Sequence, residues 1–302
     1  MREIIIGTNE AGQRIDRFLS KYLINSTRTN IYKLIRKKLI KVNGNKTKEN
    51  YFLEEGDSLK IFIQDTTLDE LIGKDSTVAS KNIKVNLDIV FEDNDILVVD
   101  KPRGQLTHPD KKEDNESLST MVQHYLKDNV SLTFKPASIN RLDRNTSGLV
   151  VFCKNYDALK KLNELSRDKK IKKYYQTIVT GEVLKDGEVK GYINKDNDNN
   201  IVMLKKHKDN DADLFVDTKF KPLEVKGGYT LLEVELITGR SHQIRVSLSS
   251  IGHPIIGDKK YKSKTNHQFK IKGQLLHAYK IIIKGQVFEK NSEEIKKYWN
   301  QI

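Results

Sequence analysis

The chain has 302 residues, 37% hydrophobic and 31% charged, with 54 Lys and Arg against 41 Asp and Glu for a formal net charge of +13. That length suits one large domain or two smaller ones, no apolar run nears the ~18 residues of a membrane span, and the run in Met1–Gly7 is too short for a secretion signal, so a cytoplasmic protein is expected. Cys153 is the only cysteine, which excludes disulfides within the chain and thiolate zinc clusters, and the seven His never fall at the i, i+4 spacing of a helical zinc site, so no metal is expected.

The excess positive charge points to a polyanionic partner, because each cation placed on a phosphate releases a counterion. Its distribution sharpens this: Arg17 to Lys48 holds ten basic residues and no acid, the footprint of a nucleic-acid contact. Ile15, Phe18, Leu19 and Leu23 recur at helical spacing over 14–23, and Ile31, Leu34, Ile35 and Leu39 repeat the pattern over 29–39. The second helix carries Arg36, Lys37 and Lys38, and with Arg28, Lys33 and Lys41 these are the six candidate cations for the nucleic-acid contact. Ile40 and Val42 then lead to Asn43-Gly44, a hairpin-turn dipeptide, and Leu59, Ile61 and Ile63 alternate as a half-buried strand.

Residues 64 to about 84 lack clear periodicity and read as a linker. The expected division is therefore a small domain over 1–70, a linker over 71–84 and a larger domain over 85–302. In the larger domain a hairpin is expected over 89–101 and a buried strand over Gly148–Phe152. A helix capped by Asn155 faces Ala158, Leu159, Leu162 and Leu165 inward. Strands follow at 173–180, 229–237 and 274–283, and Ile244, Leu248 and Ile251 form the stripe of a helix stopped by Gly252 and Pro254. Long strands with only occasional helices argue for an α+β fold.

Only 11 of the 54 basic residues are arginine, yet Arg141 and Arg144 sit in Asn140–Gly148, and Arg240 and Arg245 in Thr238–Arg245. A planar fork that grips carboxylate, phosphate or base edges is a reason not to use lysine. Asp143, between two arginines, is expected to stay ionised and is the candidate reactive carboxylate.

Arg141-Leu142-Asp143-Arg144-Asn145-Thr146-Ser147-Gly148 resembles the catalytic-loop signature of the RluA-type pseudouridine synthases. Asp100-Lys101-Pro102, His108-Pro109, Lys173-Tyr174-Tyr175, Thr238–Arg245 and Gly252–Asp258 agree with that family in order and spacing. Arg14-Ile15-Asp16, the basic helix, Val42-Asn43-Gly44 and Gly56-Asp57 are similar to the S4 RNA-binding domain that precedes many members. Three positions depart from the pattern: Asn140 replaces a His, Ser247 a His and Lys262 a Gly.

The resemblance implies a mixed, mainly antiparallel sheet with flanking helices behind a small S4-like domain. It also implies an isomerase that turns uridine into pseudouridine in RNA with no cofactor and no metal. Asp143 is then the catalytic carboxylate, Tyr175 stacks on the uracil and assists loss of its carbon-5 proton, Arg245 grips both oxygens of Asp143, and Arg141 fills the space left by the extruded nucleotide. The S4 domain and linker lean toward the RluC-like branch, whose substrate is large-subunit ribosomal RNA; a monomer is expected. A chain that keeps the fold and only binds RNA is the competing reading. Asn140 favours it, whereas Asp143, Tyr175 and Arg245 oppose it.

Overall fold

The computed structural model describes residues 1–73, 83–110, 117–196, 201–261 and 271–302. The chain divides into two compact units, the first of Met1–Val85 with Thr120–Ala137 and Cys153–Lys160, the second of Asn86–Ser119, Ser138–Phe152 and Lys161–Ile302.

The first unit begins with β1 (Arg2–Ile5), α1 (Ile15–Tyr22) and α2 (Arg28–Arg36). β2 (Ile40–Val42), β3 (Asn45–Lys46) and β4 (Ser58–Ile61) complete an antiparallel sheet ordered β1-β4-β2-β3. The expected helical stripes are the core: Ile15, Phe18, Leu19 and Leu23 pack with Ile31, Leu34 and Ile35 over Ile40, Leu59 and Ile61. Thr27 caps α2 by accepting the Asn30 amide at 3.2 Å, and Lys38 ends the helix at φ 64°, where Leu39 N–H returns to the Leu34 carbonyl at 3.1 Å. Asn43 and Gly44, at φ 50° and 76°, make the expected hairpin turn.

The linker reading of 64–84 is corrected at its start: α3 (Asp65–Ile72) is a helix whose Leu68 is fully buried, with Leu71 and Ile72 packed on the same core. Leu68, Leu71 and Ile72 are an i, i+3, i+4 set that the surrounding Asp and Thr obscure. Residues 74–82 lie outside the described residues. Glu10 draws Thr120–Ala137 into this unit, its carboxylate accepting the Ser131 hydroxyl and the Thr133 amide.

The later elements are β5 (Asp88–Glu92), β6 (Ile96–Lys101), α4 (Leu118–Tyr125), β7 (Ala137–Ser138), β8 (Ser147–Cys153), α5 (Tyr156–Arg167) and β9 (Ile171–Thr180). After them come β10 (Gly187–Asp196), β11 (Ile201–Lys205), β12 (Leu214–Lys226), β13 (Tyr229–Leu236), α6 (Gln243–Ser250), β14 (Leu276–Ile283), β15 (Gln286–Glu289) and α7 (Glu293–Asn300). Among the described residues eleven of these strands form one sheet, ordered β11-β10-β12-β13-β9-β14-β8-β6-β5 with β15 beside β14 and β7 beside β8. β14 runs parallel to β8 and antiparallel to β9 and β15, and the β9–β13 and β12–β13 pairs are antiparallel too. The expected α+β class and mixed, mainly antiparallel sheet are what the chain forms. Asn155 caps α5 as expected, accepting the Ala158 amide at 2.8 Å.

Five strands of this sheet, β7, β10, β11, β12 and β15, escaped the sequence reading. β12 alternates Val216 and Thr218 with Asp217 and Lys219, and at Pro222, which has no N–H to donate, the register against β13 shifts before Glu224. α6 also differs from its expected stripe: Gln243 through Leu248 are all buried, while Ile251 is 39% exposed. A helix inside a domain has no solvent face to show in its sequence. Where β8 meets β14, Gly148 holds φ 116° and a Cβ would lie 2.4 Å from the Ala278 carbonyl oxygen, so only glycine permits this approach.

Candidate active site

The segment Asn140–Thr146 lies between β7 and β8 and is pinned from several sides. Asn140 pairs with the edge of β8 through both ends of its amide, donating to the Leu149 carbonyl and accepting from the Val151 amide, each at 3.0 Å. The departure from the family's His is thus filled by a group with a donor and an acceptor side by side. Buried Thr107 meets both backbone groups of Leu142, donating to its carbonyl at 2.9 Å and accepting its amide at 3.1 Å. Lys101, with no exposed surface, donates to the carbonyls of Pro102, Gln105 and Arg144 at 2.9, 2.8 and 3.2 Å. Burial lowers its pKa to about 8, against the pull of the Asp143 charge.

This loop presents Asp143, 30% exposed, to a cavity of about 1420 Å³ that Arg141, Tyr175, His242 and Arg245 also line. Arg245, on α6, donates from Nη1 to Asp143 Oδ2 at 2.9 Å. Its other two contacts go elsewhere: Nε and Nη2 grip the two oxygens of buried Asp258 at 2.7 and 2.9 Å. The expectation that Arg245 grips both oxygens of Asp143 is therefore corrected. The fork spans two carboxylates, anchored on Asp258 and reaching Asp143 with one arm. Asp258 Oδ1 also accepts the Lys260 and Tyr261 amides, so the anchor is itself fixed. Asp143 Oδ1 receives no hydrogen bond among the described residues and is the oxygen left open to the cavity.

The description "RNA pseudouridylate synthase" matches residues 95–250, and "S4 domain" matches 13–59. An RNA pseudouridine synthase of Mycoplasma genitalium is 33% identical over 93% of this chain and 88% of its own. The chain belongs to the RNA pseudouridine synthase family. It is an RNA uridine isomerase with an N-terminal S4 domain. The ribosomal large subunit pseudouridine synthase C of Vibrio cholerae is 31% identical over 96% of this chain and 91% of its own, and that of Buchnera aphidicola is 32% identical over 92% and 88%. The fold is shared with human RNA pseudouridylate synthase domain containing 4, at TM-score 0.59 and 20% identity over 70% of this chain and 92% of that one.

Tyr175, on β9, lines the same cavity and lies near enough to Asp143 to feel its charge. Strand alternation on β9 puts Lys173 and Tyr175 on the cavity side while Tyr174 turns to Glu235. Tyr175 is 5% exposed, and burial, aided by the Asp143 charge, pushes its phenol well above the ordinary value. Both effects favour the neutral phenol. Arg141 is exposed at the cavity wall, and Arg144 faces Asp110 at 3.7 Å.

The six basic candidates of the S4 domain do not converge fully. Lys33, Arg36 and Lys38 line a groove of about 650 Å³ together with Lys46 and Lys48. Lys37 caps α2 outside that groove, Arg28 stacks over Tyr32 at 5.3 Å, and Lys41 covers Phe62 at 5.2 Å. Sequence reasoning assigned no role to Lys101, Thr107, Gln243, His242 or Asp258, although all but Thr107 stand in the motif blocks. Gln243 orders the approach to α6: it accepts from the Thr238 hydroxyl at 2.9 Å and the Arg240 amide at 3.1 Å, fixing the turn that leads into the helix. Lys262, where the family pattern has Gly, lies outside the described residues.

Proposed function

We propose that Asp143 is the carboxylate that drives isomerisation, acting on uridines of large-subunit ribosomal RNA. The observation that carries this reading is the asymmetry of its two oxygens, Oδ2 held by Arg245 at 2.9 Å and Oδ1 open to the cavity. Isomerisation breaks the bond from ribose carbon 1′ to uracil N1, turns the base, and joins carbon 1′ to carbon 5. Carbon 5 gives up its proton and N1 gains one, so nothing is oxidised or hydrolysed. A preorganised anion at the ribose–base junction can act on the sugar while the base departs, and the hydrogen bond from Arg245 keeps it aimed.

Tyr175 supports the turning base as a stacking wall, and Arg141 takes the space vacated in the RNA stack by the extruded nucleotide. Lys33, Arg36, Lys38, Lys46 and Lys48 hold the phosphate backbone at the S4 groove. The ribosomal assignment follows the two relatives named large subunit synthases, each similar over nine-tenths of this chain. With it goes a cytoplasmic monomer in which an S4-like domain that includes α3 precedes a linker and a catalytic domain. The test is Asp143→Asn, which keeps the shape and removes the charge. Pseudouridines are mapped in ribosomal RNA from cells carrying the wild type, the variant or neither. The variant should fold, bind RNA and lose on the order of a thousandfold in single-turnover rate, and sites missing without the gene should lie in large-subunit RNA. Near-wild-type conversion by Asp143→Asn defeats the carboxylate assignment, and unchanged large-subunit maps defeat the substrate assignment.

A further inference from the structure

His242 faces the same carboxylate from the entrance of α6. It adopts φ 55° and ψ 12°, a left-handed conformation that residues bearing a Cβ seldom take. That conformation leaves Nε2 3.9 Å from Asp143 Oδ2 and Nδ1 3.0 Å from the Tyr261 hydroxyl oxygen. The Tyr261 oxygen already accepts the Val202 amide at 3.0 Å. Its own hydrogen therefore needs an acceptor, and His242 Nδ1 is the one within reach among the described residues. A ring nitrogen that accepts a hydrogen bond carries no proton, which places the proton of neutral His242 on Nε2. Burial keeps the ring neutral by lowering its pKa, outweighing Asp143 and Asp258, while Arg245 and Lys260 push the same way as burial.

We propose that His242 is a positioning residue for the isomerisation: Val202 and Tyr261 fix it as the Nε2–H tautomer, and this N–H joins Arg245 in steering Asp143 Oδ2, so that Oδ1 meets the substrate. The inference rests on Asp143 being the working carboxylate. The 3.9 Å separation is longer than a hydrogen bond, and such contacts tighten when substrate closes the site. Both donors address one oxygen, so the carboxylate cannot rotate without losing both.

Tyr261→Phe isolates the hydroxyl, because the ring that lies 5.1 Å from the Arg245 guanidinium is kept. Nitrogen-15 NMR of the histidine ring should find the Nε2–H tautomer in the wild type and a mixture in Tyr261→Phe. Single-turnover conversion should fall about tenfold in Tyr261→Phe with RNA affinity unchanged. His242→Gln, which retains an N–H donor of similar reach, should keep more activity than His242→Ala, and adding Tyr261→Phe to His242→Ala should cost nothing further. An Nδ1–H tautomer in the wild-type spectrum overturns the proposal even if every variant misfolds. So do equal rates for His242→Gln and His242→Ala, or a Tyr261→Phe loss that persists without His242. If Asp143→Asn is inactive while these variants run at the wild-type rate, this inference alone fails. If Asp143→Asn is active, the carboxylate reading fails first.

Discussion

The cavity around Asp143 and the groove beside α2 are both rich in cations, and they are built on opposite plans. In the cavity, Arg245 is 7% exposed and spends three donors on two carboxylates at 2.7 to 2.9 Å. In the groove, Lys33, Arg36, Lys38, Lys46 and Lys48 are all exposed and make no ion pair among the described residues. The first arrangement fixes one atom in space; the second supplies charge with no commitment to where it lands. Arginine stands where a fork must bridge two groups, and lysine predominates where a phosphate has only to be neutralised.

Arg245→Lys is the sharpest way to break this contrast. A single ammonium cannot hold Asp258 bidentately and also reach Asp143, so single-turnover conversion should fall on the order of a hundredfold although the charge is retained. Asp258, 1% exposed, would lose its main partner, which should cost about 3 kcal/mol of stability, read from denaturant unfolding. Near-wild-type chemistry would show that only charge matters in the cavity. The complementary change is Lys33, Arg36 and Lys38 together to Gln. Removing three phosphate contacts should make the slope of log affinity against log salt shallower by about two, while the rate on saturating RNA stays near wild type. An unchanged slope would make the groove an ordinary solvated surface.

A smaller effect separates the two regions by pH. Burial lowers the pKa of His108, His242 and His277 below the ordinary histidine value, with the Arg141 charge adding to the shift at His108. Between those lowered values and about 6.5 the unfolded chain binds more protons than the folded one, so stability is fully present above that window and is lost as pH falls through it. The first histidine of the chain is His108, so residues 1–73 contain none. Amide exchange between pH 7 and 5.5 should therefore show protection falling around β6, β8 and β14 before it falls in β1 to β4. His277→Gln, at the residue that joins the Ser147 hydroxyl to the Lys290 carbonyl, should reduce this sensitivity. Equal loss in both regions would remove histidine as the cause.

Local patterns in the sequence determined the helices of the S4 domain, the Asn43-Gly44 turn, the strands at β6, β8, β9, β13 and β14, and the four residues that meet in the cavity. Each of these leaves a trace in neighbouring residues: a 3.6-residue stripe, an alternation, a turn dipeptide or a short motif. β10 and β12 leave little, because Gly187 and Gly191 in one and the Pro222 irregularity in the other interrupt their alternation, and β11 is an apolar run of four residues, too short to tell from a piece of buried helix. α3 was hidden for a related reason, three apolar residues being too few to stand out among polar ones. Tertiary structure alone decided that Arg245 anchors on Asp258, that Lys101 gathers three carbonyls, and that the Tyr261 hydroxyl meets His242 Nδ1. Those contacts join residues 13, 43 and 19 positions apart along the chain. Which donor meets which acceptor depends on how the elements pack, and no local periodicity records that.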